Sequence, residues 1–323
     1  MASDPYISVI IPAYNCSDHL INAIKSVQHQ KSAIPYELIV IDDGSTDDTA
    51  TVALDASKLD KSIRVHMQSN QGPSEARNTG CDLATGSIAL FLDSDDILNE
   101  HTFETVVNEF REHPEADLVS FDFDVYGLDG KLASSDKLLQ RKFIGGRLLR
   151  GGEALENLHG GSLGNFLWMY AYRISYIKKL GIKIPKQFGV LEDAVYMNEL
   201  FMNNPTVWCS HGEPLYHYFM NPDSITHISR TNKAEEALRA IEAIRSTGRV
   251  NERGSVYLVR LLLFAGSLVD GHEKESTAVI KQVENRITEL LPKTNLKDLN
   301  IKEIIKIILI LSGLYTRVKS IKS

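Results

Sequence analysis

The hydrophobic positions in the first hundred residues come in short solid runs, each cut off by polar residues. Ile7-Ser8-Val9-Ile10-Ile11-Pro12, Glu37-Leu38-Ile39-Val40-Ile41, Ile63-Arg64-Val65-His66-Met67 and Ile88-Ala89-Leu90-Phe91-Leu92 are four such runs. Their length and content of branched residues predict strands, the fourth fully buried. Between them the apolar spacing turns helical, as at Leu20, Ile21, Ile24 and Val27. Strand and helix in strict alternation predict a mostly parallel sheet covered on both faces. Every strand of such a sheet hands its following polar residues to one edge, and ligands bind there.

The residues after each strand are therefore where chemistry is expected. The first strand is followed by Ala13-Tyr14-Asn15, and the second by Asp42-Asp43-Gly44-Ser45-Thr46-Asp47. Ser45 or Thr46 is placed to cap the next helix, with Asp47 and Asp48 near its positive end. The third leads through Asn70-Gln71-Gly72-Pro73 into a helical stretch with Arg77 and Asn78. The fourth stops at Asp93-Ser94-Asp95-Asp96. Three neighbouring carboxylates call for a cation, and hard oxygen ligands suit Mg²⁺ or Mn²⁺, which keep several waters and bridge to phosphates. A solvated acidic turn would look the same in isolation. Farther along, Gly189-Val190-Leu191-Glu192-Asp193 brings an acidic pair to the start of a helical pattern over 194–201.

Taken together, Ser8-Val9-Ile10-Ile11-Pro12-Ala13-Tyr14-Asn15, Ile41-Asp42-Asp43-Gly44-Ser45-Thr46-Asp47, Asn70-Gln71-Gly72 with Ala76-Arg77-Asn78-Thr79-Gly80, and Asp93-Ser94-Asp95-Asp96 resemble the family 2 inverting glycosyltransferases. The resemblance is dense over the first third of the chain and looser to about residue 230. It implies an α/β fold of the GT-A type, a Rossmann-like, mostly parallel nucleotide-binding sheet flanked by helices. A catalytic domain over residues 1–230 and a C-terminal helical region over 231–323 follow from it. It also implies a UDP-sugar donor. Pro12, Ala13 and Tyr14 would line its base and ribose, Asp43 would accept from the uracil ring N–H, and Asn15, Asn70 and Gly72 would also bind the nucleotide-sugar. Arg77 would sit by the phosphates or brace the acidic turn. Asp93 and Ser94 would face the ribose or sugar, Asp95 would bind the metal, and Asp96 would contact the sugar or support it from behind.

By the same resemblance Asp193 is the general base and Glu192 its neighbour on the acceptor side. Inversion needs one carboxylate to take the acceptor hydroxyl proton while the metal stabilises the departing diphosphate. Leu215-Tyr216-His217-Tyr218-Phe219 and Ser224-Ile225-Thr226-His227 resemble a further family segment. His227 would complete the metal shell or touch the diphosphate, whereas the arginine that relatives often carry near Phe219 is missing. The processive signature Gln-x-x-Arg-Trp is absent, and neither Trp168 nor Trp208 occurs in one. Transfer of one sugar to a glycan acceptor on lipid or protein is the expectation.

Composition sharpens this in a few places. With 323 residues and 43% hydrophobic content the chain can bury one large core and an appendage. A net charge of −7 argues against nucleic-acid binding. Cys16, Cys81 and Cys209 lack metal-site spacing and leave an odd thiol, which suits a reduced, cytoplasmic setting. No apolar leader precedes Ile7, so secretion by a signal peptide is not expected. A sugar nucleotidyltransferase would want a basic, glycine-rich loop after the first strand, which Pro12-Ala13-Tyr14-Asn15 does not offer. A non-catalytic nucleotide-sugar-binding protein would be expected to have lost Asp95 or Asp193. An oxidoreductase would want Gly-x-Gly-x-x-Gly there.

Past residue 230 the pattern is helical over 233–249, 255–269 and 273–291. The last apolar run, Ile304-Ile305-Lys306-Ile307-Ile308-Leu309-Ile310-Leu311, is too short to span a bilayer. Arg317, Lys319 and Lys322 follow it. Such a segment predicts peripheral contact with the inner face of a membrane, a homo-oligomer interface, or docking on the protein's own core.

Overall fold

In the computed structural model, residues 6–127, 130–133, 144–220, 231–247, 252–269, 276–312 and 315 are described. The expectations placed on 224–227, His227 among them, lie outside the described residues. The first half alternates strand and helix: β1 (Ile7–Ala13), α1 (Ser17–Gln28), β2 (Tyr36–Asp42), α2 (Thr49–Leu59), β3 (Ile63–Met67), α3 (Pro73–Leu83) and β4 (Ile88–Phe91). β5 (Ile97–Leu98), α4 (Thr102–Glu112), β6 (Leu118–Ser120), β7 (Phe123–Tyr126) and β8 (Leu132–Ala133) come next. β9 (Arg147–Arg150), α5 (Gly152–Gly160), β10 (Tyr170–Arg173), α6 (Ile174–Leu180), α7 (Glu192–Met202), β11 (Thr206–Cys209) and β12 (Tyr216–Phe219) complete the sheets. α8 (Thr231–Ser246), α9 (Glu252–Leu268), α10 (Ser276–Leu290) and α11 (Ile301–Leu311) form the helical end of the chain.

The main sheet has the order β3-β2-β1-β4-β10-β6-β11-β9. Its first four strands are parallel, each βα unit delivering its strand in the same direction. Antiparallel pairing enters with β10, which lies between β4 and β6, and returns between β11 and β9. The sheet is thus mostly parallel, with its reversals in the half where the sequence carried no regular alternation. Every residue of β1 is buried, because helices cover both faces. Gly80 lets α3 lie directly on β1, since a methyl group there would overlap Ile10.

A second sheet, ordered β5-β12-β7-β8, is joined to the first by the turn 93–96 between β4 and β5. The acidic turn therefore sits at the seam of two sheets. The helical end has its own core, built from α8 to α11 and including Leu258, Leu262, Val283 and Ile287. Val190 and Ala194 belong to that core too, so the start of α7 rests on the helical region rather than on the sheet. α11 shows two characters: Ile307 and Ile310 are buried in this core, whereas Ile301, Ile305 and Ile308 face outward. Among the described residues no helix is long and apolar enough to cross a membrane.

Candidate functional site

The strand register decides what meets at the edge. Ala13 pairs with Asp42 and Asp42 with Met67, while Ile10 pairs with Phe91. The loops after β1, β2 and β4 thus emerge side by side. Asn15, at φ 47°, ties the first two together. Its amide donates to Ser45 Oγ at 3.0 Å, and its Oδ1 accepts from the Thr46 amide at 2.8 Å. Ser45 and Thr46 consequently do not cap α2, as their sequence position suggested. Asp48 occupies the N-cap without a side-chain cap bond, and Asp47 accepts from the amides of Thr49 and Ser17 instead.

Pro12 and Ala13, expected to line a base and ribose, are buried in the strand and offer only backbone there. Tyr14 beside them is 50% exposed, leaving a ring face open for stacking. Asp43 is buried and accepts from Gln68 Nε2 at 2.7 Å, the Gln71 amide at 2.9 Å and the Gly72 amide at 2.7 Å. A carboxylate has about four acceptor positions, so one remains. Asp43 thereby shapes the loop that starts α3, where Gly72 holds φ 88° at the N-cap. Asn70 is exposed on that loop.

Arg77 projects from α3 under the acidic turn. Its Nη2 donates to Asp93 Oδ1 at 2.7 Å, and its side chain is only 9% exposed. Nε and Nη1 are buried with no hydrogen-bond partner among the described residues. Burial works against the charge, but the carboxylates of Asp93, Asp193 and Glu192 outweigh it and hold the guanidinium protonated. Of the two expectations for Arg77, bracing the acidic turn is the one the ion pair fits.

Within the turn, Asp93, Ser94 and Asp95 are partly exposed, and Asp96 is sealed at 1% exposure. Asp96 accepts from Tyr216 Oη at 2.6 Å and from the Phe219 amide at 2.8 Å. Its pKa is raised well above the usual carboxylate range by burial, reinforced by the charges of Asp93 and Asp95. The structure fastens Asp96 to β12 behind the turn. Phe219, where relatives often have arginine, supplies this backbone bond and stacks its ring on Tyr126 at 4.8 Å.

The opposite wall is the start of α7. Leu191 sits at φ 63° before it, a left-handed conformation that a leucine adopts only where its surroundings impose it. That turn aims Glu192 and Asp193 inward. Asp193 Oδ2 accepts from the Leu167 amide at 3.2 Å, while Oδ1 is buried with no partner among the described residues. Burial raises the Asp193 pKa to about 7, with Arg77 opposing and Glu192 and Asp93 adding to the rise. Burial pushes Glu192 up as well, again against Arg77. Beside Glu192 lies a cavity of about 240 Å³, lined among others by Gln71, Gly72, Lys186, Phe188 and Glu236. Glu236, on α8, accepts from the Gly189 amide at 3.2 Å and so steadies the loop leading to Asp193.

The structure thus brings Arg77, Asp93, Glu192 and Asp193 together, with Asp95 partly exposed on the same turn. Two contributors escaped sequence reasoning. The Leu167 amide is a backbone group and leaves no signature in a side-chain pattern. Tyr216 had a faint one, since in Tyr216-His217-Tyr218-Phe219 alternation turns the first tyrosine inward. It stacks on Trp168 at 4.5 Å, and Trp168 stacks on Phe166 at 5.2 Å, an aromatic layer beneath the acidic turn. The described residues hold one three-residue cluster with metal-ligand spacing, Glu109, Glu112 and His113 on and just past α4. Among the described residues the acidic turn does not form such a cluster.

Known proteins resemble this chain in sequence and in fold. The model of the family described as Glycosyl transferase family 2 matches residues 8–172. The uncharacterized glycosyltransferase EpsJ of Bacillus subtilis is 28% identical over 235 residues, 73% of this chain and 67% of that protein. The GalNAc(5)-diNAcBac-PP-undecaprenol beta-1,3-glucosyltransferase of Campylobacter jejuni is 39% identical over 110 residues, 33% of this chain and 35% of that enzyme. Other curated relatives are matched over less than half of their length. Among solved structures, residues 1–349 of S. aureus TarS in complex with UDP-GlcNAc superpose with a TM-score of 0.68 at 18% identity, covering 98% of this chain and 90% of that one.

Proposed function

Because the chain belongs to glycosyl transferase family 2, we propose that it is an inverting, metal-dependent enzyme that moves one sugar from a UDP-sugar to a hydroxyl of a glycan acceptor. Family membership makes it a glycosyltransferase with the GT-A fold. The finer reading rests chiefly on one observation. Asp193 has one oxygen held by the Leu167 amide and the other without a partner among the described residues, across the buried Arg77 from the acidic turn. A carboxylate so placed can take a proton from an acceptor hydroxyl as that oxygen attacks the anomeric carbon. The bond from that carbon to the diphosphate breaks, UDP leaves, and the configuration inverts.

Tyr14, with its open ring face, and Asp43, with its remaining acceptor position, serve the uracil; Asn15 and Asn70 border them. Asp93 and Ser94 face the sugar, and Arg77 keeps Asp93 in place. Asp95 would hold Mn²⁺ or Mg²⁺, with His227 as a second ligand, and the bound ion would supply positive charge to the leaving diphosphate. The donor set fits such an ion, since Asp93 and Asp95 offer hard carboxylate oxygens on a partly exposed turn. Glu192 and the cavity beside it serve the acceptor. The UDP-GlcNAc complex of TarS supports a UDP-sugar donor, and the undecaprenol-linked substrate named for the Campylobacter relative supports a lipid-linked acceptor of the bacterial surface-glycan kind. Screening UDP-glucose, UDP-galactose and their N-acetyl forms for UDP release, with and without Mn²⁺, tests this. Metal-stimulated release from one of them is expected, and metal-independent or absent release from all four would overturn it.

A further inference from the structure

We propose that the outward face of α11 is a docking surface for an anionic lipid bilayer, holding the protein at a membrane surface without spanning it. α11 is apolar on nearly every side, yet the described residues cover only one of them. Ile307 and Ile310 enter the helical core, while Ile301, Ile305 and Ile308 remain 76%, 52% and 58% exposed. These three recur at i, i+4 and i+7, so they form one stripe along the helix. Leu296, just upstream, is 53% exposed as well.

The stripe is not the product of a loosely placed helix. Asn300 and Glu303 close a capping box at its start. Arg260 Nε pairs with Glu303 Oε1 at 3.0 Å, and Lys306 Nζ donates to the Leu263 carbonyl at 3.3 Å. The helix is therefore oriented by its inner side, and the isoleucines are presented outward by construction. A contiguous apolar face on an otherwise solvated surface marks an interaction site.

Charge identifies the occupant. Residues 291–323 hold seven Lys and Arg against two acidic residues, a local charge of +5, which leaves −12 for the rest of the chain. Lys302 is exposed at one edge of the stripe, and Arg317, Lys319 and Lys322 follow the helix in sequence. Apolar side chains flanked by cations suit a bilayer whose headgroups are anionic, the acyl region taking the isoleucines and the phosphates the lysines. A second copy of the chain is disfavoured by the same charges, because an isologous contact would bring two such segments together.

Sedimentation of the full chain with vesicles tests the proposal, using phosphatidylcholine alone and phosphatidylcholine doped with phosphatidylglycerol. Pelleting is expected with the anionic vesicles only and should weaken as salt rises. The double variant Ile305→Glu, Ile308→Glu places charges on the outward side without touching the core. It should keep the wild-type melting temperature and lose at least about tenfold in partitioning, from the apolar burial of two large side chains. Equal pelleting of variant and wild type, or no preference for anionic vesicles, would overturn the proposal. So would a wild-type dimer in light scattering that the double variant converts to monomer, since the face would then be a subunit contact.

Discussion

Replacing Asp193 by Asn should move activity and stability in opposite directions. In the native protein this carboxyl titrates near 7 instead of at its ordinary 3.8, because it is buried. A folded-state pKa above the unfolded one means that the proton favours folding. That contribution is complete below about pH 4 and is lost as pH rises through about 7. A shift of roughly three units at about 1.4 kcal/mol each sets a ceiling near 4 kcal/mol. Glu192, Arg77 and Asp93 share the titration, so about 2 kcal/mol is a fairer expectation. An amide carries no charge at any pH and can still accept from the Leu167 amide. Asp193→Asn should therefore raise the melting temperature by several degrees at pH 8 and leave it nearly unchanged near pH 4. Transfer should fall about a hundredfold to ten-thousandfold through loss of the proton acceptor, while UDP-sugar binding by calorimetry stays close to wild type. In the wild type, kcat/KM should decline as pH drops below about 7. Melting curves at the two pH values, run beside a transfer assay, decide the matter. Transfer within a few-fold of wild type would exclude Asp193 as the base, and a variant no more stable at pH 8 would refute the buried-charge account. Loss of donor binding would instead make Asp193 part of the donor pocket.

Asp95→Asn should remove metal-stimulated UDP release while circular dichroism and melting temperature hold, and turnover at saturating donor equal to wild type would remove Asp95 from the metal site. Tyr216→Phe should cost about 1–3 kcal/mol in denaturant unfolding, since Asp96 loses one of its two donors in a buried position. Donor affinity should weaken alongside as the acidic turn loosens, and a variant as stable as wild type would show that Asp96 is held by other means.

The amino-acid sequence by itself determined the parallel half of the sheet and the edge where chemistry collects. Solid apolar runs such as Ile7–Ala13 are stable only when buried on both faces, and a strand that ends in Asp-Ser-Asp-Asp must put those acids at its carboxyl end. The four C-terminal helices were equally legible, since each buries a stripe at helical spacing. What each acid does there was a tertiary decision. Adjacent carboxylates look alike in sequence, yet Asp96 turns inward because Tyr216 and the Phe219 amide, about 120 residues away, satisfy it. Arg77 meets Asp93, Glu192 and Asp193 because α3 and α7 approach the seam between the sheets from different sides, and no local spacing encodes that meeting. Ser45 and Thr46 had the chemistry of helix caps, but Asn15 from another loop engaged them first. α11 makes the same point from the apolar side: periodicity announced a hydrophobic helix, and only packing against α9 and α10 settled which isoleucines were covered. Local patterns set what a segment can form, whereas burial and hydrogen-bond satisfaction between distant segments set which of its groups remain available.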